Sequence, residues 1–157
     1  SDSDLPVMQE ASAILDQFGI AWEMTISSAH RSPVRTALFS KTARERGVEV
    51  IIAGAGWAAH LAGVIASETT LPVLGVPIDS SPLNGLDALL ATVQMPGGIP
   101  VATMTIGKAG ARNAGIFATQ ILAVKYPELQ EKLADFRKDM EDKVAAKGDA
   151  LQKSLGK

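Results

Sequence analysis

The chain has 157 residues, no cysteine, two histidines, and 15 basic against 17 acidic residues for a net charge of −2. This length fits one domain that holds a core without staples, and the lack of cysteine excludes disulfides, thiolate zinc sites, iron–sulfur clusters and a thiol nucleophile. Balanced charge and only 4 % aromatic residues argue against nucleic acid as a partner, and the absence of a membrane-length apolar run or signal-peptide pattern sets the expectation of a cytoplasmic protein.

Leu5, Met8, Ala11, Ile14, Leu15 and Phe18 recur at spacings of three and four. They predict an amphipathic helix over 5–18, capped by Ser3 or Asp4, with Pro6 in its first turn and Gly19 as its stop. Ile20, Trp22, Met24 and Ile26 then alternate with smaller or polar residues, as in a strand. Residues 33–46 read as a helix with a charged end, stopping at Gly47, and the nearly all-apolar 48–53 as a strand covered on both faces. The pattern repeats: a glycine-rich turn into a helix reaching about Glu68, a strand over 71–76, a helix over 83–95, a strand over 100–106, and a helix rich in small residues over 110–125. Strands alternating with helices imply parallel pairing through right-handed crossovers, hence a doubly wound, three-layer α/β domain over 1–125.

Both ends of this domain carry an expectation. Ser1 falls in what reads as a strand-to-helix loop, so a central strand is expected before it. Residues 126–157 form a long, highly charged helical pattern with Leu129, Leu133, Phe136, Met140, Val144, Leu151 and Leu155 on one stripe, and this stripe packs either on its own domain or on a neighbouring subunit.

Doubly wound sheets bind ligands outside the carboxyl ends of their strands, and four loops are candidates for that position. The first, 1–4, is Ser-Asp-Ser-Asp: its hydroxyls and free N–H groups suit either a helix cap or an oxyanion at a helix N-terminus, and Asp4 suits sugar hydroxyls better than a phosphate. The second, 27–33, groups His30, Arg31 and several hydroxyls. An imidazole titrates near neutrality and serves proton transfer, while a guanidinium offers a planar fork to phosphate. The third, 54–63, is Gly-Ala-Gly-Trp-Ala-Ala-His-Leu-Ala-Gly; its small residues serve close approach of a ligand or tight packing of a turn, and it matches neither the dinucleotide fingerprint nor a Walker loop. The fourth, 94–100, sets two glycines between prolines and reads as a rigid turn. No catalytic triad and no local zinc spacing are visible.

Taken in order, the segments 1–4, 28–33, 51–56 with 58–61, 71–77, 84–87 and 93–98 resemble the N5-carboxyaminoimidazole ribonucleotide mutase family of purine biosynthesis, from Ser1 to about Lys125. The arginine after His30 and the succeeding Pro33 resemble the mutase class rather than the related class that fixes free carbon dioxide. The resemblance implies a flavodoxin-like α/β fold, a homo-octamer with the C-terminal helix at a subunit contact, a small ribonucleotide substrate, and no metal or cofactor. It implies that a carboxylate moves from the exocyclic nitrogen of an aminoimidazole ribonucleotide to ring carbon C4, through decarboxylation, retention of carbon dioxide and recarboxylation. His30 matches the family's catalytic histidine and would shuttle the proton. Ser1, Ser3 and Asp4 match the loop at the ribose phosphate end, Arg31 the phosphate-binding arginine, Ser28 and Ala29 the pocket lining, and Gly56, His60 and Leu61 the loop around the imidazole and carboxylate. The sequence departs from the family at Trp57, where a glycine is usual, and at Ala62, Val64 and Ala91. Trp57 leaves two outcomes open: a ring turned away, which spares the site, or one that fills it, which would make the chain a non-catalytic ribonucleotide-binding or assembly homologue. A carboxylase using free carbon dioxide is the other alternative.

Overall fold

The computed structural model of the chain describes residues 1–156. Helix α1 (Leu5–Phe18) follows a short 3-10 turn (Asp2–Asp4) and ends at Gly19, whose φ of 72° is the left-handed cap that glycine adopts without strain. After α2 (Pro33–Thr42) come β1 (Ile51–Gly56), α3 (Leu61–Glu68), β2 (Val73–Ile78), α4 (Leu86–Val93), β3 (Ala102–Thr103), α5 (Gly107–Ala123) and α6 (Pro127–Ser154). The three strands form one parallel sheet in the order β1-β2-β3, with Ile51 opposite Val73 and Leu74 opposite Ala102. Among the described residues no helix is long and apolar enough to cross a membrane.

Strand alternation sorts the core into two layers. Ile51, Ala53 and Val73 pack with Ala62, Ile65 and Ala66 of α3, and Phe39 of α2 leans on the same cluster. Leu74 and Val76 face the other way, onto Ala11 of α1 and Ala111, Ala114 and Ala118 of α5. The small residues of α5 let α1 approach closely: a side chain added at Gly115 would come within 2.9 Å of the Ala11 carbonyl oxygen. The result is the expected αβα layering.

Several element boundaries differ from the pattern in the sequence. Helix α2 stops at Thr42 and β1 begins at Ile51, three residues later than its apolar run. Helix α4 is shortened to Leu86–Val93, because Asn84 and Gly85 take positive φ values of 51° and 84° just before it. Strand β3 keeps only two residues of 100–106. The expected strand over 20–26 carries no ladder hydrogen bonds among the described residues. Its physical reason is separation: a cavity of about 630 Å³ lies between this segment and β1 and is lined by both, so neither backbone reaches the other.

The C-terminal helix resolves into two parts. Leu129, Leu133 and Phe136 pack with Ile14 and Phe18 of α1 and Ala123 of α5, with the Phe18 and Phe136 rings 5.6 Å apart. Lys132 Nζ donates to the Phe18 carbonyl oxygen at 2.7 Å, placing a cation at the negative end of α1. Beyond this anchor, Met140, Val144, Leu151 and Leu155 are exposed.

Candidate active site

Two of the candidate loops meet through their histidines. The segment 20–26 leads into a tight turn at 28–32, held by Ser32: Ser28 N–H donates to Ser32 Oγ at 3.0 Å, and Ser32 Oγ donates to the Ser28 carbonyl at 3.1 Å. Ser28 Oγ in turn accepts from the Arg31 N–H at 3.1 Å. These bonds within the turn fix Ser28, Ala29, His30 and Arg31 relative to one another and thrust His30 and Arg31 outward, both exposed. Ser27 hydrogen-bonds Thr36 of α2 at 2.6 Å, which ties the turn to the helix after it.

The opposing loop begins where β1 ends, at Gly56. Trp57 turns the chain with a φ of 55°, Ala59 is buried, and His60 stands at the N-cap of α3 immediately before Leu61. His60 Nδ1 lies 2.8 Å from His30 Nε2, and the two rings meet edge to face with centroids 4.9 Å apart. One nitrogen must donate and the other accept, so the two tautomers are coupled. Passing the shared proton across exchanges the tautomers and leaves an outer nitrogen on each ring, His30 Nδ1 and His60 Nε2. A proton taken at one can be released at the other, which is acid–base chemistry without another group.

Ser1, Ser3 and Asp4 form the 3-10 turn that lies against β1. The Ser1 nitrogen donates to Asp4 Oδ2 at 3.1 Å, and the Ser3 hydroxyl donates to Ser1 Oγ at 3.0 Å. Asp4 is buried while Ser1 and Ser3 stay exposed; at the N-cap of α1 the Asp4 side chain makes no cap hydrogen bond, so the expected side-chain cap is absent and the turn presents its hydroxyls. Asp2 holds its carboxyl below the usual range, first through the Ser1 hydroxyl and then through backbone N–H groups. Among the described residues no hydrogen bond joins this turn to the His30 turn. Arg31 makes no ion pair among them either, so its guanidinium is free for an anion.

Gly56 has a packing reason of its own. A Cβ there would sit 1.9 Å from Ser80 Oγ and 3.1 Å from the Ile78 carbonyl oxygen. The loop after β2 thus belongs to the same sheet end and brings an exposed hydroxyl, Ser80, beside the glycine. Sequence reading passed over Ser80; the signal was available, because it follows the fully buried strand β2 at the carboxyl end. Gly54 is likewise constrained, by Met8 Sδ of α1. The fourth loop does not share this position: it joins α4 to β3, entering rather than leaving a strand, and open space surrounds Gly97 and Gly98. Trp57 is 58 % exposed and lies outside the lining of the large cavity, so its ring is turned to solvent rather than packed into the core. Among the described residues no cluster of three or more His, Asp or Glu side chains is placed to hold a metal ion.

Comparison with known proteins places the chain in a family. The sequence model described as AIR carboxylase matches residues 1–143. A protein of Pyrococcus horikoshii named N5-carboxyaminoimidazole ribonucleotide mutase is 60 % identical over 152 residues, covering 97 % of this chain and 85 % of the relative. Proteins of the same name from Thermotoga maritima and Bacillus subtilis are 56 % and 52 % identical, over 97 % and 96 % of this chain and 88 % and 93 % of the relatives. Among solved structures, Treponema denticola PurE superposes with a TM-score of 0.85 over 97 % of this chain and 94 % of that one, at 21 % identity, a likeness of fold.

Proposed function

The chain belongs to the AIR carboxylase family, and from that premise we propose that it is an isomerase of the mutase type, converting N5-carboxyaminoimidazole ribonucleotide to 4-carboxyaminoimidazole ribonucleotide in purine biosynthesis. The observation that carries the reading is the hydrogen-bonded pair His30 and His60 at the carboxyl ends of the sheet, in a chain more than half identical to proteins named for this activity.

The reaction breaks the bond between the exocyclic nitrogen and its carboxylate, releasing carbon dioxide and leaving an electron pair on nitrogen that takes up a proton. C4 then attacks the retained carbon dioxide, and the C4 proton leaves to restore aromaticity. One proton is given and one is taken, so a single shuttle balances the cycle. His30 is the group for this exchange, and His60 holds its ring and fixes its tautomer through the 2.8 Å contact. Arg31, exposed and free of carboxylates, suits the ribose phosphate. Ser1 and Ser3 offer hydroxyls to the same end of the substrate, Asp4 accepts from the ribose, Ser28 and Ala29 line the pocket, and Gly56 and Leu61 border the imidazole. We place the enzyme in the cytoplasm as an octamer; the exposed stripe of α6 and the apolar face of α4, where Leu86, Leu90 and Val93 are each about half exposed and Leu83 just before it more so, support burial between subunits.

Incubation with N5-carboxyaminoimidazole ribonucleotide in bicarbonate-free buffer tests the reading. The expected result is conversion above the spontaneous rate. No conversion by a folded sample overturns it, and conversion that requires bicarbonate assigns the carboxylase alternative instead.

A further inference from the structure

The carboxyl end of the sheet has a lateral order. Strand β1 lies between β2, its hydrogen-bonded partner, and the cavity that separates it from the segment 20–26, whose lining takes residues from both of these and none from β2. The turn carrying His30 and Arg31 continues the segment 20–26, so it stands on one side of Gly56, and the loop after β2 stands on the other. In the parallel register Gly56 is opposite Ile78, and Ser80, two residues on, is the next side chain on the same face. Its hydroxyl occupies the space that a side chain at Gly56 would need, since a Cβ there would lie 1.9 Å from Ser80 Oγ.

Two serines follow Asp79 in this loop, and they differ in what holds them. Ser81 is buried, donates to Asp87 Oδ1 at 2.8 Å and accepts from the Leu83 N–H at 3.1 Å, which fixes the loop against α4. Ser80 is exposed, and its hydroxyl has no hydrogen-bond partner among the described residues. The Asp79 carboxylate lies against Gly107 at the start of α5, with Oδ1 3.3 Å from where a Cβ would stand, so its charge is directed to α5 rather than to Gly56.

What Ser80 would meet follows from the shape of the substrate, and this step rests on the mutase reading. In an aminoimidazole ribonucleotide the ribose phosphate hangs from one ring nitrogen, and C4 lies across the ring from it, next to the carbon that bears the exocyclic nitrogen. With the phosphate on Arg31 and the ring over Gly56 beside the histidine pair, the C4 edge points across β1 to the β2 side. The geometry points to Ser80 as the hydroxyl that binds the carboxylate of the substrate, donating to it on the exocyclic nitrogen and again on C4. These two positions are on neighbouring atoms of one edge, so rotation of a single serine side chain serves both. A carboxylate is a charged acceptor, which makes this bond stronger than one between neutral groups, and it gives the otherwise unpartnered hydroxyl its acceptor.

Calorimetry with two ribonucleotides tests this assignment: 4-carboxyaminoimidazole ribonucleotide, which carries the carboxylate, and 5-aminoimidazole ribonucleotide, which lacks it. Ser80→Ala is expected to weaken binding of the carboxylated nucleotide by about 10-fold or more and to leave the affinity for the other unchanged. Ser80→Thr, which keeps the hydroxyl, should retain the parent's preference between the two. Equal losses for both nucleotides in Ser80→Ala mark a structural role and overturn the inference, as does unchanged affinity for both. A parent chain that binds neither nucleotide overturns the mutase reading and this inference together. A parent that converts N5-carboxyaminoimidazole ribonucleotide, beside a Ser80→Ala variant that binds both nucleotides as the parent does, leaves the reading intact and removes Ser80 alone.

Discussion

The role proposed for His30 leans on a residue thirty positions away, because His60 Nδ1 lies 2.8 Å from His30 Nε2. Replacing His30 with asparagine keeps a polar side chain on a turn whose own hydrogen bonds do not involve the ring. The expected outcome is a loss of turnover of about 10²–10⁴-fold or more with an unchanged far-ultraviolet circular dichroism spectrum and ribonucleotide binding retained in calorimetry. Trp57 stands at φ 55°, where an ordinary side chain costs about 1–2 kcal/mol. Trp57→Gly removes that strain but adds freedom to the unfolded chain, so urea denaturation should show a net gain of about 0.5–1 kcal/mol. Its exposed ring predicts no loss of ribonucleotide affinity. Gly56→Ala acts oppositely: the new methyl meets Ser80 Oγ and the Ile78 carbonyl, for an expected cost of about 1–3 kcal/mol. Adding Ser80→Ala should recover part of that loss in the same titration. At this scale the sequence was informative about chemistry, since both histidines, Arg31 and the serines stood out by type, whereas the pressure of Ser80 on Gly56 involves two strands and has no signature in either loop.

Elements are tied together by contacts that no local pattern announces. Glu49, just before β1, takes a hydrogen bond from Lys125 at the end of α5, and this contact, followed by one from Tyr126, holds its carboxyl below the usual range. A depressed carboxylate adds stability above its unfolded pKa of about 4.3 and loses it as pH falls through the lower folded value. Glu49→Gln should therefore unfold at lower urea than the parent at pH 7, and the gap should close as pH falls toward 3, as unfolding midpoints at pH 7, 5 and 3 would show. Helix α6 makes the complementary point. Its stripe was readable as one apolar face, yet only Leu129, Leu133 and Phe136 meet α1 and α5, because the helix runs past the end of the domain. Periodicity states that a face is apolar and is silent on what lies opposite it.

The whole molecule leaves several apolar faces to solvent. Leu86, Leu90 and Val93 on α4, Val144 and Leu151 on α6 and Leu155 just after it are each about half exposed or more, a larger apolar display than a monomer usually carries. The proposed octamer predicts that sedimentation equilibrium returns eight times the 16.4 kDa chain mass, and that Leu90→Glu lowers this number while the monomer stays helical. Unchanged assembly in that variant would place the contacts elsewhere.

By itself the sequence determined the fold class, the order of the helices and of three of the strands, the stop of α1 at Gly19, and the residue types in the loops, because periodicity, helix-stop signals and loop chemistry act over a few neighbouring positions. Only the tertiary structure decided that His30 and His60 meet at 2.8 Å, that Gly56 is held by Ser80, that Trp57 faces solvent, and that residues 20–26 alternate like a strand yet stand across a slot from β1. These depend on pairing and packing between segments far apart in the chain, where a strand forms only when a partner edge lies within hydrogen-bonding distance.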